Sequence, residues 1–305
     1  MTEPFTAYLA PDGFTGDLVA ELGEREVIDI FDRLVLAKGA PRKIIWAENI
    51  WLNPQWIEIS SIGDAAKKLK ALQRNWVNYA FDFHRRSGLV TEKLPYVAGK
   101  PLKFGEPLIT APLGSWTLVK ENLLIASPAC SEPVPNGAYK FEEDKGEPPN
   151  RAYLKLWEAL TRCGKMPKSG ETCVDFGSAP GGWTWVLHSL GANVISIDKA
   201  PLAPNIAKLP RVKYLEQSAF SLTPADIGPV DWLFSDIICY PERLLRLVND
   251  WREAGLARNF VTTIKLQGDT DHNAIQPFLD VNGSYAIHLY NNKHEITWFS
   301  LEQAS

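Results

Sequence analysis

Only four cysteines occur in 305 residues (Cys130, Cys163, Cys173 and Cys239), and no two of them form a C-x-x-C pair. This argues against a disulfide scaffold and a thiolate metal site, and predicts a reduced, cytosolic (cytoplasmic) chain with no structural metal. No stretch reaches the roughly 18 apolar residues of a membrane span. The N-terminus, MTEPFTAYLAPDG, lacks the basic and apolar regions of a secretory signal. Positive charge is not in excess either: 32 Lys and Arg stand against 36 Asp and Glu, a formal net charge of −4. That balance weighs against extensive nucleic-acid backbone binding but permits a local basic patch. Internal repeats and low-complexity tracts are missing. Tryptophan, in contrast, is abundant, with eleven copies, and its size predicts that most serve packing.

The length suffices for two domains with their own cores. Residues 132–150 (EPVPNGAYKFEEDKGEPPN) concentrate Pro, Gly and acidic side chains. This is linker composition, and it places the expected boundary between an N-terminal domain, 1–135, and a C-terminal domain, 150–305. The C-terminal part alternates strands (172–176, 193–197, 212–216, 230–235, 259–264) with helices (152–160, 181–190, 241–254, 270–281). Two last strands, 284–290 and 294–301, flank Asn291-Asn292-Lys293. The pattern predicts an α/β, Rossmann-like, mostly parallel sheet with an antiparallel terminal hairpin. The N-terminal part reads as α+β. Strands are expected at 5–9, 43–47, 55–60, 107–111, 116–120 and 122–127, and helices at 14–22 and 63–86.

The most informative segment is Asp175-Phe176-Gly177-Ser178-Ala179-Pro180-Gly181-Gly182-Trp183, which follows the apolar run Thr172-Cys173-Val174. A buried strand, a glycine turn and a helix in succession make a nucleoside-type cofactor pocket. The glycines are expected to let backbone approach the ligand, and the helix N-terminus to offer free N–H groups. The third glycine of G-x-G-x-x-G is missing, which favours S-adenosylmethionine over a dinucleotide. Asp198, ending the second strand, is placed to accept from ribose hydroxyls. The turn Leu215–Phe220, with Ser218, is placed near an adenine, and Asp236 lies beyond the fourth strand.

Four further side chains stand where chemistry could use them. Lys265 ends the apolar strand Asn259–Ile264, Asp236 ends its neighbour, Glu295 opens the last strand, and Lys155 lies on the helix entering the domain. At this point residues 150–300 resemble the FtsJ-type ribose 2′-O-methyltransferases. The resemblance rests on Ala179-Pro-Gly-Gly-Trp183 and on the words LKLWEA, SDIICYP, IKL and HEITW. It implies that Lys155, Asp236, Lys265 and Glu295 form the family's Lys-Asp-Lys-Glu tetrad. It also implies S-adenosylmethionine as cofactor and an RNA substrate, ribosomal RNA in particular. Pro11-Asp-Gly-Phe14 and the helix after it are similar to the start of N-terminal regions built of ferredoxin-like and THUMP RNA-binding units. The chain departs from the family at Gln267-Gly-Asp-Thr-Asp271, where basic residues are usual, and at Ser218, where an acidic residue is usual.

A ribose hydroxyl is a poor nucleophile at neutral pH. Lys265 is therefore expected to act as base in neutral form, with burial and Lys155 lowering its pKa while Asp236 and Glu295 oppose them. Two readings of the basic residues Lys67, Lys68, Lys70, Arg74, Arg85 and Arg86 stay open. They could be a solvated helix face, or a phosphate-contacting surface interleaved with Trp76 and His84. His272 beside Asp269 and Asp271 reads as an ordinary capped loop, not a metal site. Competing functions are a non-catalytic RNA-binding or assembly factor that keeps the fold, and a methyltransferase for another acceptor. Ser235–Tyr240 lacks the paired prolines of amino-directed enzymes.

Overall fold

The computed structural model describes residues 4–303, and these divide into two compact units, one ending at Phe141 and the other beginning at Glu142. The first unit contains β1 (Phe5–Leu9), α1 (Thr15–Leu22), β2 (Val27–Phe31), β3 (Leu34–Lys38), β4 (Asn49–Trp51) and β5 (Gln55–Glu58). It continues with α2 (Ile62–Leu72), β6 (Trp76–Asn78), α3 (His84–Thr91), β7 (Gly114–Lys120) and β8 (Leu123–Ser127). One sheet has the order β2-β3-β1-β4 and the other β5-β8-β7-β6. Leu9, Leu36, Trp51 and Ile125 share one apolar cluster, and Leu69, Trp76, Trp116 and Leu124 another.

Three expectations for this unit are corrected. The helix expected over 63–86 breaks after Leu72 into a strand and a second helix. The Trp76 indole N–H donates to the carbonyls of Leu69 and Gln73, each at 3.0 Å, which occupies acceptors at the C-terminal end of α2. Residues 76–78 then pair in parallel with β7. Trp76 is consequently buried and offers no stacking face, whereas Lys67 and Lys70 on α2 and Arg74 beyond it are exposed. No strand forms at 43–47. Ile44, Ile45 and Trp46 are buried in an irregular segment, and the Glu21 carboxylate accepts the N–H groups of Ile45 (2.8 Å) and Trp46 (3.0 Å) in place of a ladder. No strand forms at 107–111 either. Pro107 and Pro112 bracket it and lack the N–H groups that a ladder needs.

The second unit contains α4 (Tyr153–Cys163), β9 (Thr172–Phe176), α5 (Gly182–Ser189), β10 (Asn193–Asp198), α6 (Pro204–Ala207) and β11 (Val212–Glu216). It then has α7 (Pro224–Ile227), β12 (Val230–Ser235), α8 (Pro241–Glu253), β13 (Ala257–Lys265), α9 (His272–Leu279), β14 (Tyr285–Ile287) and β15 (Glu295–Ser300). They build one seven-stranded sheet of order β11-β10-β9-β12-β13-β15-β14. The first five strands in this order run parallel, and β15 is antiparallel to both β13 and β14. Central strands are buried on both faces, so they read as unbroken apolar runs such as Trp232-Leu233-Phe234. The chain order reverses between β9 and β12, and a crevice opens at such a switch point beyond the strand ends.

Candidate active site

The register brings the predicted residues to one rim. Phe176 lies level with Ile197 on one side and Ser235 on the other, so Gly177, Asp198 and Asp236 leave the sheet at neighbouring strand ends. Lys265 is paired with Glu295 across β13 and β15. A cleft of about 450 Å³ lies there. Gly177, Ser178, Ala179, Gly182, Trp183, Asp198, Ser218, Asp236 and Lys265 all line it.

Asp198 organises the first wall. Its carboxylate accepts the N–H of Ala179 (3.0 Å) and of Ala200 (2.9 Å), which ties the end of β10 to the turn after β9. Ser218 caps a short turn by accepting the N–H of Phe220 at 3.3 Å. The Arg243 guanidinium lies 3.8 Å above the Phe220 ring, and both side chains line the cleft. Trp183 is nearly buried. Its indole N–H donates to the carbonyl of Ala152 at 3.0 Å, which fixes α5 to the start of α4.

Two cofactor-site expectations need correction. Asp175 does not line the cleft. It is fully buried, accepts the Thr184 hydroxyl at 2.7 Å, and that hydroxyl also meets Ser196 at 2.7 Å. Burial, with the nearby charges of Asp236 and Asp198 and against the Thr184 hydrogen bond, pushes its carboxyl up to about 7. The turn glycines, of which Gly177 and Gly182 line the cleft, also make room for protein. A Cβ on Gly177 (φ 76°) would lie 2.9 Å from Ile237 Cα, and one on Gly181 (φ 116°) 2.7 Å from Ile206 Cγ2. Gly182 faces Asn150 in the same way. Pro180 and Gly181 are not among the residues that line the cleft.

The tetrad is a closed ring of alternating charge. Lys155 Nζ donates to Asp236 Oδ2 at 2.7 Å and to Glu295 Oε1 at 2.9 Å. Lys265 Nζ donates to Asp236 Oδ1 at 2.6 Å and to Glu295 Oε2. Each carboxylate thus gives one oxygen to each amine, and the four formal charges cancel. All four side chains are largely buried, which weakens solvent screening. Burial alone would raise the Asp236 carboxyl, but the two ammonium groups outweigh it and hold it below the usual range. Burial alone would lower Lys265, but Asp236 and Glu295 outweigh that and raise it. The sequence left the net direction open between opposing effects, and in the fold the two carboxylates at contact distance outweigh desolvation.

The residues present fit S-adenosylmethionine. Ser178 Oγ, buried in the cleft wall, has no hydrogen-bond partner among the described residues, so the wall carries an unmet polar atom. The helix α5 has Gly181 at its N-cap and no side-chain cap, which leaves first-turn N–H groups for a carboxylate. Asp198 supplies acceptors for hydroxyls. Asp271 caps α9 by accepting the N–H groups of Asn273 and Ala274, as its loop reading implied.

Sequence reasoning missed Asn150 and Arg243 in the cleft wall, and it gave Glu158 no role. Arg243 sits on an amphipathic helix whose charged residues all look alike in sequence. Its value arises only from Phe220 lying beneath it.

Residues 148–271 match the model of the FtsJ-like methyltransferase family. A protein of Halorhodospira halophila named ribosomal RNA large subunit methyltransferase M is 36% identical over 165 residues, 52% of this chain and 48% of that protein. One of the same name from Xanthomonas oryzae pv. oryzae is 32% identical over 218 residues, covering 69% and 58%. Another of that name, from Xanthomonas axonopodis pv. citri, is 30% identical over 257 residues, covering 79% and 70%. The chain therefore spans about half of the first of these relatives and under two thirds of the second.

Proposed function

Since the chain belongs to the FtsJ-like methyltransferases, among the proteins named ribosomal RNA large subunit methyltransferase M, we propose that it moves a methyl group from S-adenosylmethionine to a ribose 2′-hydroxyl of ribosomal RNA. The observation that carries this reading is the ring of Lys155, Asp236, Lys265 and Glu295 beside the cleft. The relatives' name supplies the substrate class, and the ring supplies the 2′-hydroxyl chemistry.

S-adenosylmethionine, when bound, supplies an electrophilic methyl on a sulfonium. Asp198 would accept from its ribose hydroxyls, Ser178 and the first-turn N–H groups of α5 would meet its polar groups, and the 217–220 turn with Arg243 would wall its base. Asp236 sits where the cleft meets the ring, and its carboxylate favours a cation beside it. Positioning of this kind removes much of the entropic barrier.

Lys265 meets the 2′-hydroxyl and takes its proton. Asp236 and Glu295 hold the amine in place at the cost of raising its pKa, so the base form is scarce at neutral pH. Lys155 completes the ring from the other side and, by donating to Asp236 and Glu295, holds both carboxylates in place.

The test is transfer of labelled methyl groups to large-subunit ribosomal RNA that lacks its modifications, followed by mapping of the product nucleotide. A ribose-methylated nucleotide is expected. Lys265→Ala should abolish transfer and leave binding of S-adenosylhomocysteine intact. A base-methylated product, or full activity in that variant, overturns the assignment.

A further inference from the structure

Glu158 is fully buried on α4, and the ring does not use it. Its carboxylate accepts the backbone N–H groups of Tyr290 (2.7 Å) and Asn291 (3.0 Å) and the Asn291 side-chain amide (2.9 Å). The Arg162 guanidinium reaches it at 3.4 Å and donates also to the carbonyl of His288 at 3.3 Å. Burial pushes this carboxyl up, while Arg162 and the N–H donors of 290 and 291 pull against it. A carboxylate in that position is costly unless its partners are all satisfied.

The spacing gives these contacts a direction. Lys155, Glu158 and Arg162 stand at i, i+3 and i+7, one stripe along α4. Their partners run backwards along the connection between β14 and β15: Glu295, then Asn291 and Tyr290, then His288. One helix therefore grips the same connection at three successive levels. Its first level is the tetrad contact itself, and only Asn292, Lys293 and His294 separate the second level from Glu295. The His288 ring and the carbonyl of Lys293, 2.9 Å apart, close the connection on itself.

We propose that Glu158 is a positioning residue of the tetrad, which fixes residues 290–291 and through them the Glu295 carboxylate between Lys155 and Lys265. The claim rests on the catalytic reading above. It adds that the ring's geometry is set from one turn further along α4. Glu295 cannot bridge both amines if its strand start drifts, and a shift on the order of 1 Å costs about a hundredfold in rate.

The experiment compares Glu158→Ala and Glu158→Gln with the natural protein by three measurements. These are kcat for methyl transfer to unmodified large-subunit ribosomal RNA, calorimetric binding of S-adenosylhomocysteine, and competitive acetylation of Lys265 and Lys155 by acetic anhydride across pH, mapped by mass spectrometry. The groups facing Lys265 are Asp236 from the end of β12, Glu295 from β15 and Lys155 from α4, with Cys239 also in its field. Glu158→Ala should leave S-adenosylhomocysteine binding unchanged, because Glu158 does not line the cleft. It should lower kcat by about a hundredfold and make Lys265 acetylate at lower pH, since a displaced Glu295 no longer holds its proton. Glu158→Gln keeps the shape and one acceptor oxygen but turns an NH2 donor onto the N–H groups of 290 or 291, so it should recover only part of both. If Glu158→Ala does not fold, Asn291→Ala carries the same test by removing only the side-chain amide. A fall in melting temperature with kcat per folded molecule and the Lys265 acetylation profile unmoved overturns the proposal. If the natural protein methylates no RNA, the catalytic reading fails, and the acetylation profiles still decide the positioning claim.

Discussion

Lys265 is where geometry and proton affinity disagree with the simplest chemical expectation. Asp236 and Glu295 hold its amine as an ammonium at neutral pH, yet the proposed step needs the free amine. Its raised pKa means that the neutral fraction grows about tenfold per pH unit throughout the accessible range. The expected outcome is a log kcat/KM that climbs with a slope of about one between roughly pH 7 and 9, with no plateau in that window. The sign follows from one proton leaving Lys265. Asp236, held low, is already ionised there and adds no slope of its own. A flat profile would show the ammonium to be the acting form, donating to the developing alkoxide. The strand-end positions of Asp236, Lys265 and Glu295 were legible in sequence, whereas their grouping with Lys155 came from the resemblance to FtsJ-type methyltransferases. The direction of the Lys265 shift was not legible, since it depends on contact distances that only the folded ring defines. Asp175 shows the converse case: it looked like a ligand-binding carboxylate, yet Thr184 and the surrounding core claim it.

At the level of elements, the turn between β9 and α5 has two neighbours to satisfy. Gly177 adopts φ 76°, and the backbone of Ile237, next to Asp236, lies where its side chain would be. Replacing Gly177 by Ala should therefore push the Asp236 loop away and strain the backbone, at a cost of about 1–3 kcal/mol. The unfolding free energy from urea titration should fall by that amount, lowering the midpoint, and methyl transfer should be lost with it because Asp236 moves. An unchanged midpoint would mean that the loop yields freely and does not define the ring. The parallel sheet was readable because its strands are buried on both faces and its helices alternate with them. The first unit was harder. Its β2–β3 hairpin turns at Asp32-Arg33, with Asp32 at φ 56°, and no glycine marks the turn. The helix expected over 63–86 hid a strand of only three residues, whose partner β7 lies far along the chain. Short strands that pair non-locally leave little periodicity for a sequence to display.

For the molecule as a whole, the acidic balance and the chemistry of the cleft act at different ranges. A net charge of −4 says nothing about a ring whose four charges cancel locally. Every residue named in the cleft wall falls between Asn150 and Lys265, so a ligand held there couples to the folding of the unit that begins at Glu142. A ligand that binds only the native state adds about 2.7 kcal/mol at a hundred times its Kd. Hydrogen exchange in saturating S-adenosylhomocysteine should accordingly slow at the amides of β9, β10 and the turn at 177–183, where the ligand adds its stabilisation directly. The strands β7 and β8 of the first unit carry no cleft residue and provide the internal reference. Slowing confined to β7 and β8, with β9 and β10 unaffected, would place the cofactor away from this cleft and remove the basis for reading Asp198, Ser178 and the tetrad as one site.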